Sequence, residues 1–89
     1  MRIKSGYILR KIAGSDMVVP VGSNIADFNG IISLNESAAF LWRHLTEGVE
    51  LPHLVTVLAE EYNISKEQAQ VDTENFIEGL QQANILMEV

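Results

Sequence analysis

The chain of 89 residues contains no cysteine. Disulfides, thiolate metal sites and cysteine nucleophiles are therefore excluded, and a reducing, cytoplasmic compartment is expected. Proline occurs only at positions 20 and 52, and tryptophan only at 42. Positive charge is scarce, with 6 Lys and Arg against 12 Asp and Glu and a net charge of −6. Such a surface repels phosphate backbones, so nucleic acid is not an expected partner. No apolar run approaches the ~20 residues of a membrane span. The first residues, MRIKSGYILRKIAG, carry two early cations but no uninterrupted apolar segment. Neither a signal peptide nor a membrane partner is expected.

What is present is a composition of 47% hydrophobic and 20% charged residues, which is globular. The length fits a single domain over 1–89, with little core to spare.

The first third reads as β and the rest as helix. Tyr7–Ile12 is a candidate strand, followed by a turn over Ala13-Gly14-Ser15-Asp16 and a second strand over Met17–Val21. Pro20 cannot donate to a ladder, so that end is expected on an edge or leaving the sheet. Gly22-Ser23-Asn24 reads as loop, and Ile25–Phe28 as a continuation of the second strand. Asn29-Gly30 is a two-residue hairpin signal leading into a third strand, Ile31–Leu34.

Asn35 fits a helix N-cap with Glu36 against the helix dipole. The first helix is predicted from Glu36 to about Thr46, with Ala38, Leu41, Trp42 and Leu45 as its buried stripe and Gly48 beyond its end. Pro52 fits the first turn of a second helix whose apolar face is Leu51, Leu54, Val55, Leu58 and Tyr62, closed by Asn63. Ser65 with Gln68 resembles a capping box opening a third helix, Lys66 to about Ala83. Its apolar side is Ala69, Thr73, Phe76, Ile77, Leu80 and Ala83, with Val71 nearly opposite and exposed. Ile85-Leu86-Met87 is a short final strand or a tail packed on the core. The expected fold is a small α+β, winged-helix-like domain, with an N-terminal three-stranded antiparallel sheet followed by three helices.

Little in the chain points to catalysis. His44 and His53 sit on different helices and read as two surface histidines, and no His/Asp/Glu group has a metal spacing. There is no Gly-rich phosphate loop and no nucleophile elbow. Glu60-Glu61 is a solvated face. Arg2, Lys4, Arg10 and Lys11 hold four of the 6 positive charges and read as solvated positions on an edge strand. The expectation is no enzyme, no metal and no cofactor.

The stretch DFNGIISLNESAAFLW, residues 27–42, places a short strand directly against a helix start. Ile32 and Leu34 share one strand face, which a neighbouring helix should bury; Ile31 and Ser33 share the other. Ile31 is then either partly covered by neighbouring strands or part of an edge left unfinished until something docks.

VPVG followed by DFNGIISLNESAAFLW, and then LAEEYNISKEQAQVDTENFIEGLQQANIL, resemble the PqqD-like family, whose domain is also called the RiPP precursor recognition element. The resemblance covers nearly the whole chain. It implies a winged-helix-like domain without enzymatic activity that binds the leader segment of a ribosomally made precursor peptide. Such domains present the leader to a modifying enzyme, often a radical SAM protein. The binding mode it implies adds the leader as a strand beside the third strand, with side chains entering a groove against the third helix. Carried onto this sequence, the strand positions are Ile31, Ile32, Ser33 and Leu34. The flank of the third helix offers Gln68, Asp72, Asn75 and Gly79. Ile32→Pro is expected to weaken leader binding if the Ile32 N–H faces the open edge.

Two alternatives remain at this point. A winged-helix nucleic-acid binder would need a basic recognition helix, whereas the third helix carries Lys66 against Glu67, Asp72, Glu74 and Glu78. An open edge could also pair with its own copy in a homodimer.

Overall fold

The computed structural model describes residues 1–22 and 32–87. The elements run β1 (Arg2–Ile3), β2 (Tyr7–Ile12), β3 (Ser15–Pro20), β4 (Ile32–Leu34), α1 (Glu36–Leu45), α2 (Leu51–Tyr62), α3 (Lys66–Gln82) and β5 (Leu86–Met87). One antiparallel sheet has the order β2-β3-β4, and β1 pairs with β5 in a second, two-stranded ladder. This is the expected α+β arrangement, with the sheet leading and three helices following. The Ile25–Phe28 continuation, the Asn29-Gly30 hairpin and Ile31 lie outside the described residues.

The β2-β3 hairpin is tighter than the sequence suggests. Ile12 pairs with Ser15, so the turn is Ala13-Gly14 alone, and Ser15 and Asp16 belong to β3. Both turn residues have positive φ, 52° and 83°. Two such residues in succession make the turn whose twist matches the flanking strands. β3 is also not an edge, because it lies between β2 and β4. Pro20 is tolerated there as the last residue of the strand, beyond the last described β3–β4 pair, Val18 with Ile32.

In a two-residue hairpin the pair flanking the turn exchanges both backbone hydrogen bonds, and bonded and non-bonded pairs then alternate. Ile12–Ser15 is therefore bonded, as are Arg10–Met17 and Ile8–Val19. The Val21 N–H donating to the Gly6 carbonyl at 2.8 Å continues the same phase at the far end. It follows that Asp16 and Val18 turn their N–H and C=O toward β4, where they face Leu34 and Ile32. Ile32 and Leu34 in turn direct their backbone groups at β3. Ser33, between them, directs its own to the other side.

The helices begin as their caps dictate. The Asn35 side chain accepts from the Ala38 N–H at 2.8 Å, and the Ser65 hydroxyl accepts from the Gln68 N–H at 3.1 Å. The reciprocal half of the Ser65 capping box is replaced, because the Gln68 amide donates forward to Asp72 at 2.8 Å. Asn63 ends α2 in the left-handed conformation, φ 52°. The core gathers Val18 from the sheet, Leu41, Trp42 and Leu45 from α1, Leu54 and Leu58 from α2, Ala69 and Leu80 from α3, and Ile85. Ile32 and Leu34 are half-buried against it, and Val71 is exposed.

The pairing of β1 with β5 joins the two ends of the described chain: Ile3 meets Leu86, and the Lys4 N–H donates to the Ile85 carbonyl at 2.8 Å. It also accounts for two of the N-terminal cations. Lys4 donates to the Asn84 side chain at 2.8 Å, and the Arg2 guanidinium lies 3.3 Å from where a Cβ on Gly48 would stand.

Thr73 on α3 is fully buried, and among the described residues its hydroxyl has no hydrogen-bond partner. A buried hydroxyl left unpaired costs about 1–3 kcal/mol. Thr73→Val keeps the shape and removes the polar atom, so it should raise unfolding stability by about 1 kcal/mol or more, read as an upward shift of the urea midpoint without a change in slope. An unchanged or lower midpoint would contradict that burial.

Candidate functional site

The feature that stands out is the free side of β4. Among the described residues this strand has one neighbour, β3. Its outward-facing backbone groups are those of Ser33, whose side chain is also exposed. Ile32 and Leu34 contribute to the same strand from the other direction, facing β3 with their amides and the core with their side chains. Ile32→Pro is therefore a test of the internal ladder, and Ser33 is the position whose amide looks outward.

Directly after β4, a groove of about 340 Å³ opens between the start of α1 and the middle of α3. Asn35, Ser37, Asp72 and Asn75 form its polar rim, and Ala38, Leu41 and Phe76 its apolar part. Asn35 and Ser37 are held in place locally, since the Ser37 hydroxyl donates to the Asn35 side chain at 3.1 Å. On the other wall, Gln68 donates to Asp72 and fixes that carboxylate. The size falls within the ~300–1,000 Å³ range of ligand clefts, and its lining is mostly polar with an apolar patch.

The candidate residues sort as follows. Asp72 and Asn75 line the groove together, and Gln68 reaches it through Asp72. Gly79 is on α3 and exposed, but is not part of the groove lining. A Cβ there would meet nothing within 4 Å, so tight helix packing does not require this glycine. Gly79→Ala should stabilise the fold by about 1 kcal/mol, from helix propensity alone. That corresponds to roughly 4–8 °C in Tm for a domain of this size; no gain would show that the glycine is needed for another reason.

Five groove residues are not among the candidates from sequence, namely Asn35, Ser37, Ala38, Leu41 and Phe76. Ala38 was assigned to the buried stripe of α1, but Ala39 takes the deep position, at 1% exposure, and Ala38 turns toward the groove. Spacing favours Ala38, which keeps the helical interval to Leu41, Trp42 and Leu45, whereas Ala39 keeps it only to Trp42, so the burial of Ala39 is not legible in the pattern. Phe76 is half-buried, with one part on the core and the other on the groove.

The histidines also differ from expectation. Although on different helices, their rings are neighbours, with centroids 6.1 Å apart. Phe40 stacks edge-on against His44 at 4.7 Å and against Tyr62 at 5.8 Å. The Tyr62 hydroxyl has its pKa pushed up, first by burial and then by the carboxylates of Glu36 and Glu61. Among the described residues no three His, Asp or Glu side chains gather as a metal site. No helix among them is long and apolar enough to cross a membrane.

The family description "Coenzyme PQQ synthesis protein D (PqqD)" matches residues 6–86. The chain belongs to the PqqD family. That span takes in the hairpin, the β4–α1 junction and all three helices, so the open edge and the groove both lie within the family's domain. Two solved structures share the PqqD-type fold. One is described as TbiB1 in complex with the TbiA(β) leader peptide, with a TM-score of 0.78 and 17% identity, covering 100% of this chain and 98% of that one. The other is a lasso peptide synthetase B1 complexed with the leader peptide, with a TM-score of 0.75 and 16% identity, covering 98% and 96%. No curated protein matches the chain in sequence.

Proposed function

We propose that this PqqD-family chain is a non-catalytic module that captures the leader segment of a ribosomally synthesised precursor peptide and presents it to a modifying enzyme, such as a radical SAM protein. The leader adds as a strand to the free side of β4, through Ser33 and its neighbours Ile31, Ile32 and Leu34. Its side chains enter the groove between α1 and α3, beside Asp72 and Asn75, with Gln68 and Gly79 on the same flank of the helix. The observation that carries this reading is an edge strand with outward backbone groups running straight into a groove that holds an apolar patch at Ala38 and Phe76. The leader peptides in both structural neighbours support it.

Magnitudes decide how the binding is divided. Each backbone hydrogen bond nets only about 0.5–1.5 kcal/mol, and ordering a disordered leader costs about 2–5 kcal/mol. A pair of bonds at Ser33 does not offset that. One or two apolar leader side chains buried against Ala38 and Phe76 contribute about 1.5–3 kcal/mol each. The edge therefore fixes direction and register, and the groove supplies affinity and selectivity.

The test is a calorimetric titration of the protein with the leader peptide encoded beside its gene, together with the same peptide with its apolar residues changed to serine. Binding of the first at about micromolar affinity, with loss for the second, is the expected result. No binding, or equal binding of both, would overturn the reading. Light scattering in parallel separates a leader-bound monomer from a homodimer that closes the same edge with its own copy.

A further inference from the structure

The sheet has a second free side. Among the described residues β2 also has one neighbour, β3. The hairpin phase that turns Arg10 toward β3 turns the N–H and C=O of Leu9 and Lys11 outward. A cleft of about 460 Å³ runs along this edge, lined by consecutive residues from Tyr7 to Lys11 and, from α1, by Trp42, Arg43 and Thr46. Side chains on one face of a strand would line a cleft at every second residue. An unbroken run means that the cleft follows the backbone edge itself.

The charge here has the opposite sign to the molecule. Arg10, Lys11 and Arg43 meet at this cleft against the carboxylate of Asp16, in a chain whose net charge is −6. Asp16 sits between Lys11 at 4.0 Å and Arg43 at 3.9 Å, on the helix side of the edge. Alternation puts Arg10 on the other side, so cations flank the edge above and below. The Lys11 and Arg43 side chains are 67% and 60% exposed, so both remain open to a second anionic partner. Arg2 and Lys4, the other N-terminal cations, do not line this cleft, and Lys4 donates to the Asn84 side chain.

We propose that the β2 edge and the adjoining side of α1 form a second strand-docking slot, which takes an extended acidic segment of the modifying enzyme while the leader occupies β4. The inference rests on the leader-capture reading, since a presenting module needs one surface for the peptide and another for the enzyme. The two edges lie on opposite sides of one sheet, with β3 between them, so both can be filled at once. The guest would pair with the backbone of Leu9 and Lys11 and set its carboxylates against Arg10, Lys11 and Arg43. A phosphate backbone would satisfy the cations but could not donate to the outward carbonyls.

The test has two arms on the full chain. In the first, isotope-labelled protein is titrated with a blocked peptide alternating valine and glutamate, with its lysine counterpart and with duplex DNA. Amide shifts over residues 7–11 and 42–46 with the glutamate peptide alone, leaving Ser33 and Asp72 unmoved, are expected. No shift at those residues up to millimolar peptide, an equal response to the lysine peptide, or a stronger response to DNA would overturn the proposal. In the second arm, a variant with Lys11→Gln and Arg43→Gln is compared with the parent for binding the leader and the modifying enzyme encoded beside the gene. Leader affinity should stay within about twofold while enzyme affinity falls roughly tenfold with a weaker salt dependence. Unchanged enzyme affinity would overturn the slot; absence of leader binding in the parent would instead overturn the leader-capture reading.

Discussion

Ser33→Pro is expected to weaken leader binding by about tenfold or more while leaving the fold intact. The phase of the β2-β3 hairpin, carried across β3, turns the Ser33 amide away from the sheet. Proline there removes the donor that a docking strand would use and places its ring where that strand must lie. Edge positions with outward amides are where sheets tolerate proline. Ile32→Pro should behave differently. Its amide donates inward to β3, so the loss leaves the Val18 carbonyl unpaired inside the sheet, a cost of about 1–3 kcal/mol to folding itself. The pair of variants separates a binding edge from a structural ladder: circular dichroism melts report the fold and calorimetry the affinity. Wild-type affinity in a folded Ser33→Pro protein would remove the strand-addition mode.

The second large effect is expected from filling the groove. Ala38 is half-buried on the groove side of α1, and its small side chain leaves the half-buried Phe76 accessible across the groove. Ala38→Phe projects a ring into that space and displaces the leader side chain that would bury there. Losing about 1.5–3 kcal/mol of apolar burial is roughly a 10–150-fold rise in Kd. The Asn35 cap on the Ala38 backbone is untouched by the change, so helix α1 should keep its start. Val71→Phe, on the exposed side of α3, is the control and should leave affinity unchanged. Equal affinity for all three proteins would show that the groove is not where leader side chains go.

How much of this could be read in the residues differs by scale. The helices were legible, because caps and apolar periodicity are local: Asn35, Ser65 and Asn63 act where their chemistry predicts. The strand over Tyr7–Ile12 was equally plain. The β1–β5 ladder was not, since it joins Arg2–Ile3 to Leu86–Met87 across almost the whole chain and each strand is too short to show a period. The central place of β3 was obscured by Pro20, which suggests an edge, whereas the last described β3–β4 pair is Val18 with Ile32.

The site shows the same division. Alternation alone places Ile32 and Leu34 on one face and Ser33 on the other. It says nothing about which amides look outward, because that depends on turn length one hairpin away. A four-residue turn over 13–16 would pair Ile12 with Met17, and only the two-residue turn at Ala13-Gly14 sets the observed pairing with Ser15. Asp72 and Asn75 were implied by the family resemblance, which points to the flank of the third helix, whereas the opposing wall at Ala38 and Leu41 required knowing how α1 rotates about its axis. The proximity of His44 and His53 is likewise a product of helix packing that no sequence spacing reveals.

The central claim is that β4 offers an unpaired backbone to a guest strand, and amide hydrogen exchange at Ser33 tests it most directly. In the free protein Ser33 should exchange rapidly while Ile32 and Leu34 are slowed by their bonds to β3; with leader bound, Ser33 should become protected as well. Protection of Ser33 before any leader is added, or fast exchange after saturation, would contradict it.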